Sequence, residues 1–306
     1  MLAVAVMAVY VGDVPGTGSS GFALAYAANT LILVVLWFRT GLHDPAHRPA
    51  SVPYSTGYLI SALAFASSIR VGEPARFWFW GAALTAELAG LFVAFRRWSP
   101  PASQEGDAVI ATTPSLIERM GLFVTIVLGE VVVGAVTGMA EVRELGVNAV
   151  ALGLLGVLVA IGLWWLYFDL ASHRAPVSRR TQLWLYLHLP LVMAIAAGGA
   201  GVLNTIEHAA EPLPDEVRWL LVGALALALV TIMLITLALE VRSRWPQIYR
   251  TVDGAMMVSA LLIVAVGLTS WAAKPTLATM AALLLLPVGA GLLIFVKTTE
   301  PGVVLD

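Results

Sequence analysis

Long apolar runs alternate along this chain with short clusters of proline, glycine and charge. A helix needs about 20 apolar residues to cross about 30 Å of hydrocarbon. Nine runs read this way: 21–38, 54–68, 77–95, 116–138, 146–168, 181–203, 217–239, 252–273 and 276–296. The 54–68 run is the shortest. The opening run, 1–11, is half a span and lacks the positive lead of a signal peptide, so the expectation is a helix cut in its middle and a natural chain that starts earlier. The pattern predicts an all-α fold, a polytopic transmembrane helix bundle of about ten helices with the first one partial. It forms a single membrane domain over 1–306, made of a front helix group (1–95), a polar cytoplasmic linker (96–115) and a back helix group (116–306).

Composition agrees. Of 306 residues, 59% are hydrophobic and 12% charged, and the mean hydropathy of +0.89 lies far outside the soluble norm. A net charge of -2 offers no basic surface for nucleic acid, and that class is excluded. With no cysteine there is no disulfide framework and no thiolate site, so a metal would need histidine and carboxylates.

All ten tryptophans fall at or near span ends, where indole rings favour the headgroup zone. Orientation follows from lysine and arginine. Twelve of the 17 lie at the even-numbered loops and the tail, among them Arg39, Arg96, Arg97, Arg174, Arg242, Arg244 and Arg250, and five lie opposite. The positive-inside rule then puts the C-terminus in the cytoplasm.

Several motifs lead nowhere. "GTGSSG" (16–21) has the spelling of a dinucleotide loop but joins two spans rather than a strand and a soluble helix, so it reads as a flexible turn. "HDPAH" (43–47) spaces two histidines by four residues, yet Pro45 opposes the helix that would align them, and solvated loop residues are the better reading. No lysine lies mid-membrane for a Schiff base, and no G-x-S-x-G or H-E-x-x-H occurs. No catalytic residue, cofactor or metal site is therefore expected. "FRRWSPP" and "VRSRWPQ", after the fourth and eighth spans, hint at a duplication, but arginine, tryptophan and proline at a cytoplasmic helix end also have an ordinary interfacial explanation.

Charges inside the spans carry more information, because each costs about 2.5–3.5 kcal/mol at the bilayer centre and usually faces the bundle interior. Glu87 lies about 15 Å into its span and Glu130 about 21 Å into its own. His188 sits about 10 Å from an inner end, two residues before Pro190, which frees the Tyr186 carbonyl and is expected to kink the helix. Asp169 marks a cytoplasmic end, and Asp169, His173 and Arg174 form an inner-face cluster that a solvated helix end also explains. Arg119 and Glu130 are eleven residues apart and share one helix face, but about 16 Å separates them, so each needs its own partner. Glu118 lies near the cytoplasmic interface. The set Glu87, Glu118, Arg119, Glu130, Asp169 and His188 is the expected intramembrane polar core. It either locks helices through neutral hydrogen bonds, worth about 0.6 kcal/mol on average, or carries a proton or cation. Gly134 and Gly138, with Ala194, Ala197, Gly198 and Gly201, provide the small-residue spacing of close helix packing.

"ERMGLFVTIVLGE" (118–130), with "WWLYFD" (164–169), "HLPLV" (188–192) and "IEHA" (206–209), resembles the bacterial low temperature requirement protein A (LtrA) family. The early acidic helix of that family, E-L-F-F-D-L-V-F-V-like, has no counterpart here. The resemblance implies a multi-pass protein of the bacterial cytoplasmic (inner) membrane, named for a growth phenotype in the cold, and brings no reaction, substrate or cofactor. Two functions remain open: permeation or transport of a small solute or ion, proton-linked, and a non-transport structural or envelope-adaptation role. The lipid bilayer is the expected partner. A small solute or ion and further copies of the chain are left open.

Overall fold

The structure, a computed structural model, describes residues 2–14, 16–98, 113–141, 146–209 and 213–298. Most of the expected linker, and with it the proline half of "FRRWSPP", lies outside the described residues, as does Arg143. Ten α-helices account for the fold among the described residues: α1 (Leu2–Val11), α2 (Ser19–His43), α3 (Arg48–Ser68), α4 (Ala75–Trp98), α5 (Pro114–Glu141), α6 (Val147–Leu170), α7 (Thr181–Glu207), α8 (Asp215–Leu237), α9 (Pro246–Gly267) and α10 (Ala273–Thr298). Seven of them, α2 and α5 to α10, are long and apolar enough to cross a membrane, and the chain is a multi-pass integral membrane protein. The nine expected full spans thus become seven on length and composition. α3 and α4 have the length, but α3 is broken up by serine, threonine and proline and α4 carries Arg76, Glu87, Arg96 and Arg97.

The chain divides into two compact units, Met1–Ala111 and Thr112–Asp306. In the first, α1 lies on α2, and α3 packs against both α2 and α4. Its core is small and aromatic: Ala23, Ala27 and Ala83 let Phe65 and Trp80 close on Tyr26, with ring centroids 4.0 Å apart for Tyr26 and Phe65 and 5.2 Å for Phe65 and Trp80. Trp80 Nε1 donates to Ser68 Oγ at 2.8 Å, which satisfies the buried indole. α3 and α4 approach closely at Gly57 and Gly90, where a Cβ on Gly90 would stand 3.4 Å from the Gly57 Cα.

In the second unit, α5, α7, α8, α9, α10 and α6 pack in a closed cycle, and α6 also touches α7 and α8 across it. α6 is apolar on all sides, with one side packed on its neighbours and Leu154, Ile161 and Trp164 exposed on the other, as suits a helix that meets lipid. α5 buries Gly121, Val124, Leu128, Val131, Ala135 and Gly138 towards α6 and α7, a three-four spacing that keeps one seam inward. At the crossing, a Cβ on Gly134 would lie 2.5 Å from the Gly199 carbonyl oxygen and one on Gly199 would lie 2.9 Å from that of Glu130, so the two backbones are in direct contact. α7 continues through Pro190 without a break in helical structure.

Both ends of α9 lie six residues earlier than expected. The span expected over 252–273 is the helix Pro246–Gly267. Pro246 at the first helical position, where its missing N–H is no loss, starts α9 on a polar segment that a hydropathy window rejects.

Candidate functional site

The polar groups of the second unit gather at one end, where α6 and α8 stop and α7 and α9 begin. α6 ends with Ala171 and Ser172 both donating to the Tyr167 carbonyl, and His173 follows with φ 58°, a left-handed conformation that turns the chain back after the helix. The returning segment is pinned to the connection after α8. Val177 N–H donates to the Ala238 carbonyl at 2.8 Å and Glu240 N–H to that of Ala175 at 3.1 Å, around an antiparallel bridge between Pro176 and Leu239.

Tyr249, from the early turns of α9, joins these segments. Its hydroxyl donates to the Leu170 carbonyl at 3.0 Å and accepts from Arg174 at 2.6 Å, while Arg174 also donates to the Asp169 carbonyl at 2.7 Å. One turn on, Asp253 is 8% exposed, accepts from the Thr236 hydroxyl at 2.9 Å and pairs with Arg242. The Arg174 and Arg242 guanidinium carbons each lie 5.9 Å from the Tyr249 ring centroid, within cation–π range.

His188 lies further along α7 and is 2% exposed. Its Nδ1 faces the Trp184 carbonyl at 2.8 Å and its Nε2 faces the Tyr167 hydroxyl at 2.9 Å. A carbonyl only accepts, so Nδ1 carries the proton. Nε2 of the neutral ring then accepts from Tyr167. Tyr167 and Trp184 also close on the imidazole edge to face.

Of the six expected core residues, Glu118, Arg119, Glu130 and Asp169 are exposed, Glu87 is half-buried and only His188 is fully buried. Arg119, Leu122, Ile126 and Glu130 do share one face of α5, but it is the outward face, with Leu122 56% and Ile126 69% exposed. The small-residue seam takes the inward side, and Glu130 contributes its backbone rather than its carboxylate to the contact with α7. In the first unit Glu87 Oε2 accepts from the Tyr26 hydroxyl at 3.0 Å, and Oε1 is buried with no hydrogen-bond partner among the described residues. Of the inner-face cluster, Asp169 and His173 are exposed and Arg174 uses the Asp169 carbonyl, not its carboxylate, which is the arrangement of a solvated helix end.

Three of the segments that carry the family resemblance meet in space. Tyr167 of "WWLYFD" bonds His188 of "HLPLV", and Gly121 of "ERMGLFVTIVLGE" lies against Phe168 of "WWLYFD", while Ile206 of "IEHA" packs on Gly138 further along α5. The family model described as Bacterial low temperature requirement A protein (LtrA) matches residues 1–295. The chain belongs to the LtrA family. No curated protein and no solved structure matches it.

Sequence reasoning misses several polar residues of this LtrA chain. Tyr249 escapes a hydropathy reading because it starts the span six residues late, and "WP" at 245–246 is the signal that corrects it, while Asp253 lies inside the expected span and is passed over. Tyr167 is in view within "WWLYFD", where an aromatic at a span end suggests an interface anchor rather than a partner for a buried histidine.

Proposed function

We propose that this LtrA protein sits in the bacterial cytoplasmic membrane with its C-terminus in the cytoplasm and allows a small solute or ion to cross, with proton linkage through the polar side chains of its helices. The observation that carries this reading is His188. It is a titratable ring enclosed within a membrane-spanning helix, bonded at both nitrogens, in a stretch that otherwise packs through small and apolar residues. Asp253, Arg242, Tyr249 and Arg174 extend the polar character to the helix ends. Glu87 and Glu130 remain the carboxylates at depth, while Glu118, Arg119 and Asp169 belong to the interfacial zone.

A structural or envelope-adaptation role without transport is favoured by a different observation, the backbone-to-backbone seal between α5 and α7 at Gly134 and Gly199. One experiment separates the readings: proton and cation flux into liposomes holding the purified protein. Transport predicts flux above that of empty liposomes, reduced in Glu130→Gln and His188→Gln proteins that still fold. Liposomes with wild-type protein as tight as empty ones refute transport and leave the structural reading.

A further inference from the structure

A recess of ≈ 780 Å³ opens beside the polar end of the second unit, within the size range of small-molecule sites. Arg180, Arg242, Arg244 and Arg250 line it against one carboxylate, Glu240. Arginines at the cytoplasmic ends of spans are ordinary and are normally solvated. Here two are fixed in place. Arg242 is held by the buried Asp253, and Arg180 donates to the Leu237 carbonyl, which masks the negative end of α8. The side chains of the other two, Arg244 and Arg250, make no ion pair or hydrogen bond among the described residues. The rim also holds the starts of α7 and α9, at Arg180 and Pro246, and neither helix has a side-chain cap, so both contribute positive potential.

We propose that this recess binds a phosphate-bearing anion, gripped by the Arg244 and Arg250 guanidiniums between the fixed flanks of Arg180 and Arg242. Guanidinium forks match phosphate oxygens in pairs, and the two unshared cations are the charge such an anion needs. The recess lies where α8 ends and α9 begins, and ends of spans meet the headgroup zone, so the phosphate comes either from an anionic lipid or from a soluble ion. The proposal is independent of solute permeation.

The test uses the full chain in phosphatidylcholine nanodiscs. In one arm, phosphatidylglycerol is added and the lipid retained is counted by native mass spectrometry. In the other, inorganic phosphate is titrated and thermal unfolding followed. The Arg244→Ala/Arg250→Ala protein is expected to bind about 30-fold more weakly, the equivalent of about 2 kcal/mol at about 1 kcal/mol per arginine. Arg39→Ala, an exposed arginine of the first unit, is expected to bind as wild type. Dependence on the pair in the lipid arm identifies a headgroup, and dependence in the phosphate arm a soluble ion; either supports the proposal. It is overturned if wild type responds in neither arm, or if the double variant responds as wild type does in both. Both substituted side chains are exposed and unpaired, so loss of folding does not confuse the result.

Discussion

Replacing Gly134 with alanine tests the packing that defines the second unit. The new Cβ would stand 2.5 Å from the Gly199 carbonyl oxygen, against about 3.3–3.6 Å for a relaxed carbon–oxygen contact. The atom in the way is backbone, so no side chain can swing aside, and α5 and α7 must part by about 0.8–1.1 Å. Overpacking of this kind costs about 1–3 kcal/mol, while glycine to alanine in a helix gains up to about 1 kcal/mol. Gly129→Ala isolates the two effects, since it lies in the same helix and a Cβ there meets nothing within 4 Å. Thermal unfolding of both proteins in one detergent should show Gly129→Ala equal to or above wild type and Gly134→Ala about 1–3 kcal/mol below Gly129→Ala. For a unit of this size, 2 kcal/mol corresponds to about 4–8 °C. Equal melting of the two variants would refute the close crossing, because the difference between them contains only the clash.

The ion pair at the start of α9 gives a second prediction. With side chains 10% and 26% exposed, Asp253 and Arg242 lie between a surface pair, worth about 0–1 kcal/mol, and a buried one, whose breaking costs about 3–5 kcal/mol. A double-mutant cycle with Asp253→Asn and Arg242→Gln should give a coupling of about 1–3 kcal/mol, and a coupling under about 0.5 kcal/mol would mean that solvent screens the pair. A third concerns the turn before α2. The Thr17 hydroxyl and then the Gly18 N–H, at 2.7 and 2.8 Å, hold the Asp13 carboxyl below its ordinary value of 3.8. A depressed folded value means that this contribution is present above the unfolded value and disappears as pH falls through the folded one. Hydrogen exchange across residues 12–19 should therefore quicken below about pH 4 in wild type and lose that pH dependence in Asp13→Asn, and identical profiles would remove the carboxylate from the turn.

Much of the fold was legible in the sequence because apolar runs of membrane length are a strong signal. The α5, α6 and α8 boundaries fall within three residues of the hydropathy pattern. Two things were not legible, for physical reasons. The polar start of α9, with Tyr249, looks like loop to a window that averages hydropathy, although it is helical and Tyr249 is buried. And periodicity shows which residues of a membrane helix share a face without showing which way that face points. In water the apolar side marks the inside. In α5, Val132, Val133 and Val136 are exposed while Gly121, Gly134 and Gly138 are buried, so small residues mark the inside, as expected where lipid is as apolar as the core.

That inversion changes what Glu130 can reveal. Its side chain makes no hydrogen bond or ion pair among the described residues and shares its face with Ile126, which is 69% exposed, and Leu122, which is 56% exposed. The unit's own packing therefore does not use the carboxyl. Glu130→Gln should then leave unfolding of the purified protein within about 0.5 kcal/mol of wild type, the range of surface substitutions. A stable Glu130→Gln protein whose liposomes have lost proton flux would assign the loss to the carboxyl's chemistry. A Glu130→Gln protein that unfolds readily would show that the carboxyl holds helices together, and the outward placement of this face would be refuted with it.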